Sequence, residues 1–172
     1  MPQSAPVYVC QRHRATALHF DLRLEIDGVL VSWAVPKGPS PDPAQKRLAV
    51  RADDHDLAHA GYEGAYERAG RKVGSVVVWD IGTFEHRTRR GGEPLRASQA
   101  LADGHLVVVL HGQKLVGPYA LTRTSAPGPK EQWILVKMRG PGVEEGAEPA
   151  RDQLASVLTG LTNDDLERAW RA

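Results

Sequence analysis

Residues Leu18–Ile26 (LHFDLRLEI) alternate without a break: Phe20, Leu22, Leu24 and Ile26 fall on one face and His19, Asp21, Arg23 and Glu25 on the other. A period of two marks a strand with one apolar face, because successive side chains point to opposite sides of a sheet. Asp27-Gly28 follows, a pair suited to a two-residue hairpin turn. Val29–Val35 is therefore the expected returning strand, and residues 7–11 a strand leading in. The segment 36–43 (PKGPSPDP) reads as a rigid loop, since proline brings no N–H to a ladder. Shorter strands are expected at 47–51, 74–79, 83–86, 105–110, 119–123 and Gln132–Lys137, with turn signals at Ile81-Gly82, His111-Gly112 and Gly117-Pro118. Residues 85–96 are polar and Gly-rich and read as a mobile loop. Ala97, Ala100 and Leu101 share a helical face, which predicts a short helix over Ala97–Asp103.

Many short strands with little helix predict a mainly β fold, an antiparallel sandwich or barrel. The barrel domain is expected over 1–140 and a linker over 141–150. A helical appendage is expected over 151–172, where Leu154, Val157, Leu158 and Leu161 recur at i, i+3, i+4 and i+7 and Thr162 or Asn163 offers an N-cap.

Composition sharpens this only in places. Seventeen Gly and twelve Pro suit a turn-rich β fold. The single cysteine, Cys10, excludes an internal disulfide and a cysteine metal cluster and fits a reducing compartment. No secretory signal and no membrane span is expected, which points to a cytoplasmic protein. The net charge of +1 conceals an imbalance: seven acids and three Arg follow position 143, leaving 19 basic and 14 acidic residues before it. A mildly basic main domain permits a polyanionic substrate without demanding one.

The polar face of the first long strand carries the candidate chemistry. Side chains at i and i+2 lie ~7 Å apart at their roots, so the tips of His19, Asp21 and Arg23 can meet on one small object. Imidazole and carboxylate suit a divalent cation, and Arg23 suits phosphate oxygens. His13, just upstream, adds a second imidazole. The same alternation equally describes a half-exposed strand with a solvated face and a surface ion pair worth little; from the strand alone that bland reading stands ahead. Asp53-Asp54-His55, Lys37 and Arg47 have the same two readings. His59, His86, His105 and His111 show no spacing that implies chemistry, and the sequence holds no P-loop, nucleophile elbow or paired-cysteine zinc motif.

Longer strings change the balance. Gln11-Arg12-His13, the run 18–25, Asp27-Gly28, the run 32–39 (SWAVPKGP), 46–50 (KRLAV) and Asp54-His55 closely resemble the 3′-phosphoesterase domain of bacterial DNA ligase D. Tyr62-Glu63-Gly64, Val78-Trp79-Asp80, Gly104-His105-Leu106 and Gln132–Lys137 continue the resemblance, which runs from about Tyr8 to Arg139.

The resemblance implies a compact β-barrel and a manganese-dependent enzyme of DNA repair by end joining, with other divalent cations left open. Such domains remove a 3′-terminal ribonucleoside and then the 3′-phosphate left behind. By motif, His13, His19 and Asp21 would hold the metal, and Arg23 and His55 the scissile phosphate. Gln11, Lys37, Arg47 and Asp54 match positions that line or support the site. The resemblance would turn the polar face of the first strand inward. Expected partners are DNA or DNA–RNA 3′ ends and end-joining repair proteins at the nucleoid, with no membrane. The ligase and polymerase domains of the ligase are not in the sequence, so a stand-alone module is expected. His59 stands where the family has a phosphate-holding Tyr, and Asp53 where it has Glu. Residues 65–74 (AYERAGRKVG) replace the family's Ile-Pro-x-Gly-x-Tyr-Gly-x-Gly loop. These departures surround the phosphate pocket. They keep open a catalytically impaired nucleic-acid end-binding module, and two His with one carboxylate also describe a non-haem iron site for a small molecule.

Overall fold

The computed structural model describes residues 4–127 and 130–172. Its strands are β1 (Val7–Arg14), β2 (Leu18–Ile26), β3 (Val29–Val35), β4 (Arg47–Asp56), β5 (Gly64–Arg68), β6 (Lys72–His86), β7 (Arg89–Arg90), β8 (Glu93–Pro94), β9 (His105–His111), β10 (Val116–Arg123) and β11 (Gln132–Lys137). Helices α1 (Ala97–Asp103), α2 (Pro149–Asp152) and α3 (Asn163–Arg171) are short, and a 3₁₀ turn spans Leu57–Gly61. Eight strands close an antiparallel barrel in the order β1-β2-β3-β4-β11-β10-β9-β6, with β6 pairing back to β1 and β5 added along β6.

The alternation in β2 dictates what fills the barrel. Phe20, Leu22 and Leu24 join Tyr8, Cys10, Trp33, Trp79 and Trp133 in one buried core. Phe20 meets Trp79 edge-on at 5.3 Å, and Trp33 meets Trp133 at 5.4 Å, contacts worth ~0.5–1.5 kcal/mol each beyond the area they bury. Asp80 is fully buried and fastens the β9–β10 turn. It accepts the Tyr8 hydroxyl at 2.9 Å and the backbone N–H groups of Gln113, Lys114 and Leu115 at 2.8–2.9 Å.

Three expectations change. Ile81-Gly82 is not a turn: β6 runs through it from Lys72 to His86. Glycine is needed at 82 because a Cβ there would lie 2.0 Å from the His111 carbonyl oxygen. Within the loop expected at 85–96, β7 and β8 form a small ribbon turned by Gly91 and Gly92 at φ +57 and +81. Residues 154–161 are not helical, because the Ser156 hydroxyl accepts the N–H groups of Leu158 and Thr159 and Gly160 adopts φ +76. That hydroxyl competes with the helical ladder, and the segment instead lies along the barrel, Val157 N–H bonding the Val78 carbonyl.

Residues 141–150, read from composition as a linker, also pack down: Gly146 N–H bonds Asp42, and Ala150 is buried in the core. Helix α3 opens with a Thr162–Asp165 capping box and docks on β1 and β6. The buried Asn163 amide accepts from Arg12 at 2.7 Å and donates to the Arg12 and Ser75 carbonyls, while Arg14 pairs with Asp164 and Glu167.

Candidate functional site

His19, Asp21 and Arg23 alternate with the residues that fill the barrel, so they project from its outer wall rather than inward. The inward face implied by the resemblance is corrected here. Asp21 and Arg23 are nonetheless only 6% and 4% exposed. The 3₁₀ turn packs over β1, β3 and β4, and with β5, which extends the sheet from β6, it borders a cleft of about 310 Å³ lined by His13, His19, Asp21, Arg23, His55, His59, Tyr62 and Tyr66. A small apolar cluster of Val9, Leu30, Ala60 and Val78 supports the turn.

The β1–β2 register places His13 directly opposite His19, their ring centroids 4.7 Å apart. Asp21 lies between them. Its Oδ2 is 3.2 Å from His13 Nδ1 and its Oδ1 3.2 Å from His19 Nε2. Donor atoms of the three residues all fall within 4.8 Å of one another, and two imidazoles with one carboxylate are a donor set suited to a divalent cation of borderline hardness. The outward nitrogens have partners: His19 Nδ1 lies 3.2 Å from the Ala17 carbonyl, and His13 Nε2 lies 2.5 Å from the Tyr66 hydroxyl. Burial works to raise the Asp21 pKa, but hydrogen bonds to His13 and His19 and the charges around it hold the carboxyl well below its ordinary value. Burial works to lower the His19 pKa; the bond to Asp21, the Asp21 charge and the Ala17 carbonyl outweigh it and raise it.

Arg23 is held on three sides. Nε donates to Gln11 Oε1 at 2.7 Å, and Nη1 donates to Ser32 Oγ at 2.8 Å and to His55 Nδ1 at 3.0 Å. Nη2 is 3.4 Å from Asp21. Since a guanidinium only donates, His55 Nδ1 faces a donor in Arg23, while the Asp53 carbonyl, also 3.0 Å away, offers it an acceptor. Gln11 is fully buried and passes this order to the covering layer, its Nε2 donating to the carbonyls of His59 and Tyr62. His55, His59 and Tyr62 form a tier, the first two rings 4.6 Å apart and the last two stacked at 5.2 Å. Burial, then the neighbouring Arg23 and His55, lowers the His59 pKa, so its ring is neutral near pH 7. Burial raises the Tyr66 pKa, which keeps its hydroxyl protonated.

The structure thus brings together Gln11, His13, His19, Asp21, Arg23, His55 and His59. It does not bring Lys37 or Arg47 to them. Lys37 is exposed on its loop, and Arg47 makes a two-pronged ion pair with Glu148 at 3.0 and 2.8 Å, so its charge is already answered. Asp53 and Asp54 line a neighbouring groove that meets the cleft only at Ala52, and Asp54 pairs with Arg51. Asp53 touches the site through its backbone, its carbonyl lying 3.0 Å from His55 Nδ1. Sequence reasoning did not single out Ser32, Tyr62 or Tyr66 as site residues. Ser32 was legible as the cross-strand partner of Arg23; Tyr66 was not, because β5 itself was not expected.

The sequence matches the model of the DNA Ligase D 3′-phosphoesterase domain over residues 11–123. It is 46% identical over 133 residues to the multifunctional non-homologous end joining protein LigD of Pseudomonas aeruginosa, an alignment covering 77% of this chain and 15% of that protein. It is 39% identical over 132 residues to the protein of the same name from Mycolicibacterium smegmatis, covering 77% and 17%. Against the multifunctional non-homologous end joining DNA repair protein LigD of Mycobacterium tuberculosis it is 35% identical over 145 residues, covering 81% and 18%. The chain spans less than a fifth of the length of these relatives.

Proposed function

This chain belongs to the DNA ligase D 3′-phosphoesterase domain family, and from that premise we propose that it is a metal-dependent phosphoesterase that trims 3′ ends of DNA or DNA–RNA during non-homologous end joining. Manganese is the proposed cation, held by His13, His19 and Asp21. The substrates proposed are a 3′-terminal ribonucleoside, removed to leave a 3′-phosphate, and then that phosphate. The observation that carries this reading is the meeting of His13, His19 and Asp21 with Arg23 and His55 in one covered cleft.

A cation there would supply a Lewis acid for a phosphate oxygen. The chain's own groups do the rest. Arg23 uses Nε and Nη1 on Gln11, Ser32 and His55; Nη2, 3.4 Å from Asp21, carries a second N–H to offer a phosphate oxygen. Because Gln11 and Ser32 hold the fork in place, it needs no reorganisation as negative charge grows. His55 is held at Nδ1 between Arg23 and the Asp53 carbonyl, which leaves Nε2 to meet the phosphate or the leaving oxygen. His59, neutral, adds a further donor or acceptor where a charged ring would repel Arg23. Asp21 and Arg23 are themselves buried, which strengthens the electrostatic contact between them.

The test is a primer–template with one 3′ ribonucleotide, incubated with the protein and Mn2+. The expected products are a shortened strand ending in a 3′-phosphate, followed by one ending in a 3′-hydroxyl. A protein that binds Mn2+ and the DNA end yet never shortens the strand would be an end-binding module instead.

A further inference from the structure

Tyr66 is a residue with no evident reason to be where it is unless it serves His13. It stands within the segment 65–74 that departs from the family pattern, on β5, and β5 does not pair with β1. Strand β6 lies between them, with Val76 of β6 facing His13 on one side and Gly64 on the other. Tyr66 reaches across that strand at its one opening. Its register partner is Gly74, and a Cβ on Gly74 would lie 2.5 Å from Tyr66 Cζ and 2.7 Å from its hydroxyl. The phenol ring occupies the space a side chain at 74 would take. It arrives edge-on to the His13 ring, centroids 5.9 Å apart at 61°, with the hydroxyl 2.5 Å from Nε2.

This contact gives each nitrogen of His13 a different neighbour. Nε2 is taken by Tyr66, while Nδ1 faces Asp21. His19 has the converse arrangement, Nε2 facing Asp21 and Nδ1 against the Ala17 carbonyl. A metal-ligating imidazole needs its free nitrogen unprotonated and its other N–H bonded outward, and the outward acceptor fixes both tautomer and ring angle. Ala17 supplies that acceptor for His19.

We infer that the Tyr66 hydroxyl is the positioning group for His13: it accepts the Nε2–H, so that His13 presents Nδ1 to a divalent cation shared with His19 and Asp21. Gly74 is the second half of the device, because only glycine lets the ring cross β6. The inference rests on the proposed metal site but concerns a residue outside it, and it assigns a use to the segment in which this chain departs from its relatives.

Two variants test it on the full chain. Tyr66→Phe keeps the ring over Gly74 and removes only the hydroxyl; Gly74→Ala keeps the hydroxyl and displaces the ring. By titration calorimetry with Mn2+, each is expected to bind about tenfold more weakly than the parent, the lower end of the range for loss of such an outer partner. The thermal midpoint of metal-free Tyr66→Phe should stay at the parent value. With Zn2+ as a diamagnetic probe, the parent should show a hydrogen-bonded Nε2–H proton of His13 by NMR, and Tyr66→Phe should lose it to exchange. If Tyr66→Phe binds Mn2+ within about twofold of the parent and keeps that proton signal, the inference is overturned while the metal site stands. If the parent itself binds no Mn2+, both fall.

Discussion

Arg23 and His55, 32 residues apart, meet at 3.0 Å, with Arg23 Nη1 donating to His55 Nδ1. One contact therefore orients two groups: it holds the guanidinium against β4 and fixes the imidazole by its Nδ1 edge, which the Asp53 carbonyl also meets. An arginine-to-lysine change, conservative in charge, removes this arrangement, because an ammonium has no planar fork to span Gln11, Ser32 and His55 together.

Arg23→Lys should accordingly bind Mn2+ as the parent does and lose cleavage by at least about 100-fold, the scale seen when one donor to a developing oxyanion is removed. Calorimetry with Mn2+ and the primer-shortening assay read the two effects separately. Equal loss of metal binding would place Arg23 in the cation site instead.

His19→Ala removes one of three donors that lie within 4.8 Å of one another. Loss of an outer partner costs about 10–100-fold in metal affinity, so loss of the donor itself should cost more than ~100-fold, with cleavage falling to background. The fold should survive, since His19 lies on the outer wall and not in the barrel core. Circular dichroism and calorimetry together check this.

Metal binding should weaken on acidification. Burial opposes protonation of His19, but Asp21 and the Ala17 carbonyl overcome it, so its pKa lies above 6.5. A proton and a cation compete for the same nitrogen, so the proton gains ground as pH falls through that raised value. The apparent Kd for Mn2+ should rise between about pH 8 and about pH 6, more steeply than an unperturbed histidine would give. In metal-free protein the sign reverses for this group: the stability it lends is complete below its unfolded pKa and is lost as pH rises through the folded one. A flat Kd over that range would exclude His19 as a ligand.

Asp80→Ala leaves the buried Leu115 N–H and Tyr8 hydroxyl, and the part-buried N–H groups of Gln113 and Lys114, without their acceptor. The expected cost is ~3–5 kcal/mol, the range for breaking a buried charged network by removing one partner. Urea unfolding followed by tryptophan fluorescence would read it. A change under about 1 kcal/mol would mean that water replaces the carboxylate.

The β2–β3 hairpin was legible because its alternation and the Asp27-Gly28 turn give the same answer. β6 was not, because Gly82 has the local look of a turn while its actual constraint, the His111 carbonyl, lies far off in sequence. The apolar stripe at 154–161 misled for the opposite reason: periodicity is a weak signal against a hydroxyl that captures the same N–H groups. The site divides along similar lines. His13, His19 and Asp21 were readable from one hairpin and a family motif. That Asp21 and Arg23 are buried on the outside of the barrel was not, because the layer that covers them comes from residues 57–68. The ion pair that occupies Arg47 was not legible either, because Glu148 lies 101 positions away.

The two halves of the site also differ in when they can exist. Eight positions separate His13 from Asp21, and they meet across a single hairpin. Arg23 reaches His55 across 32 positions and His13 reaches Tyr66 across 53, contacts that form only as β4, β5 and β6 assemble. Local pairings form early and distant ones late. During folding, the proposed cation ligands can therefore meet before the proposed phosphate-holding groups do. On the proposed function, that order would reserve hydrolysis for the closed barrel.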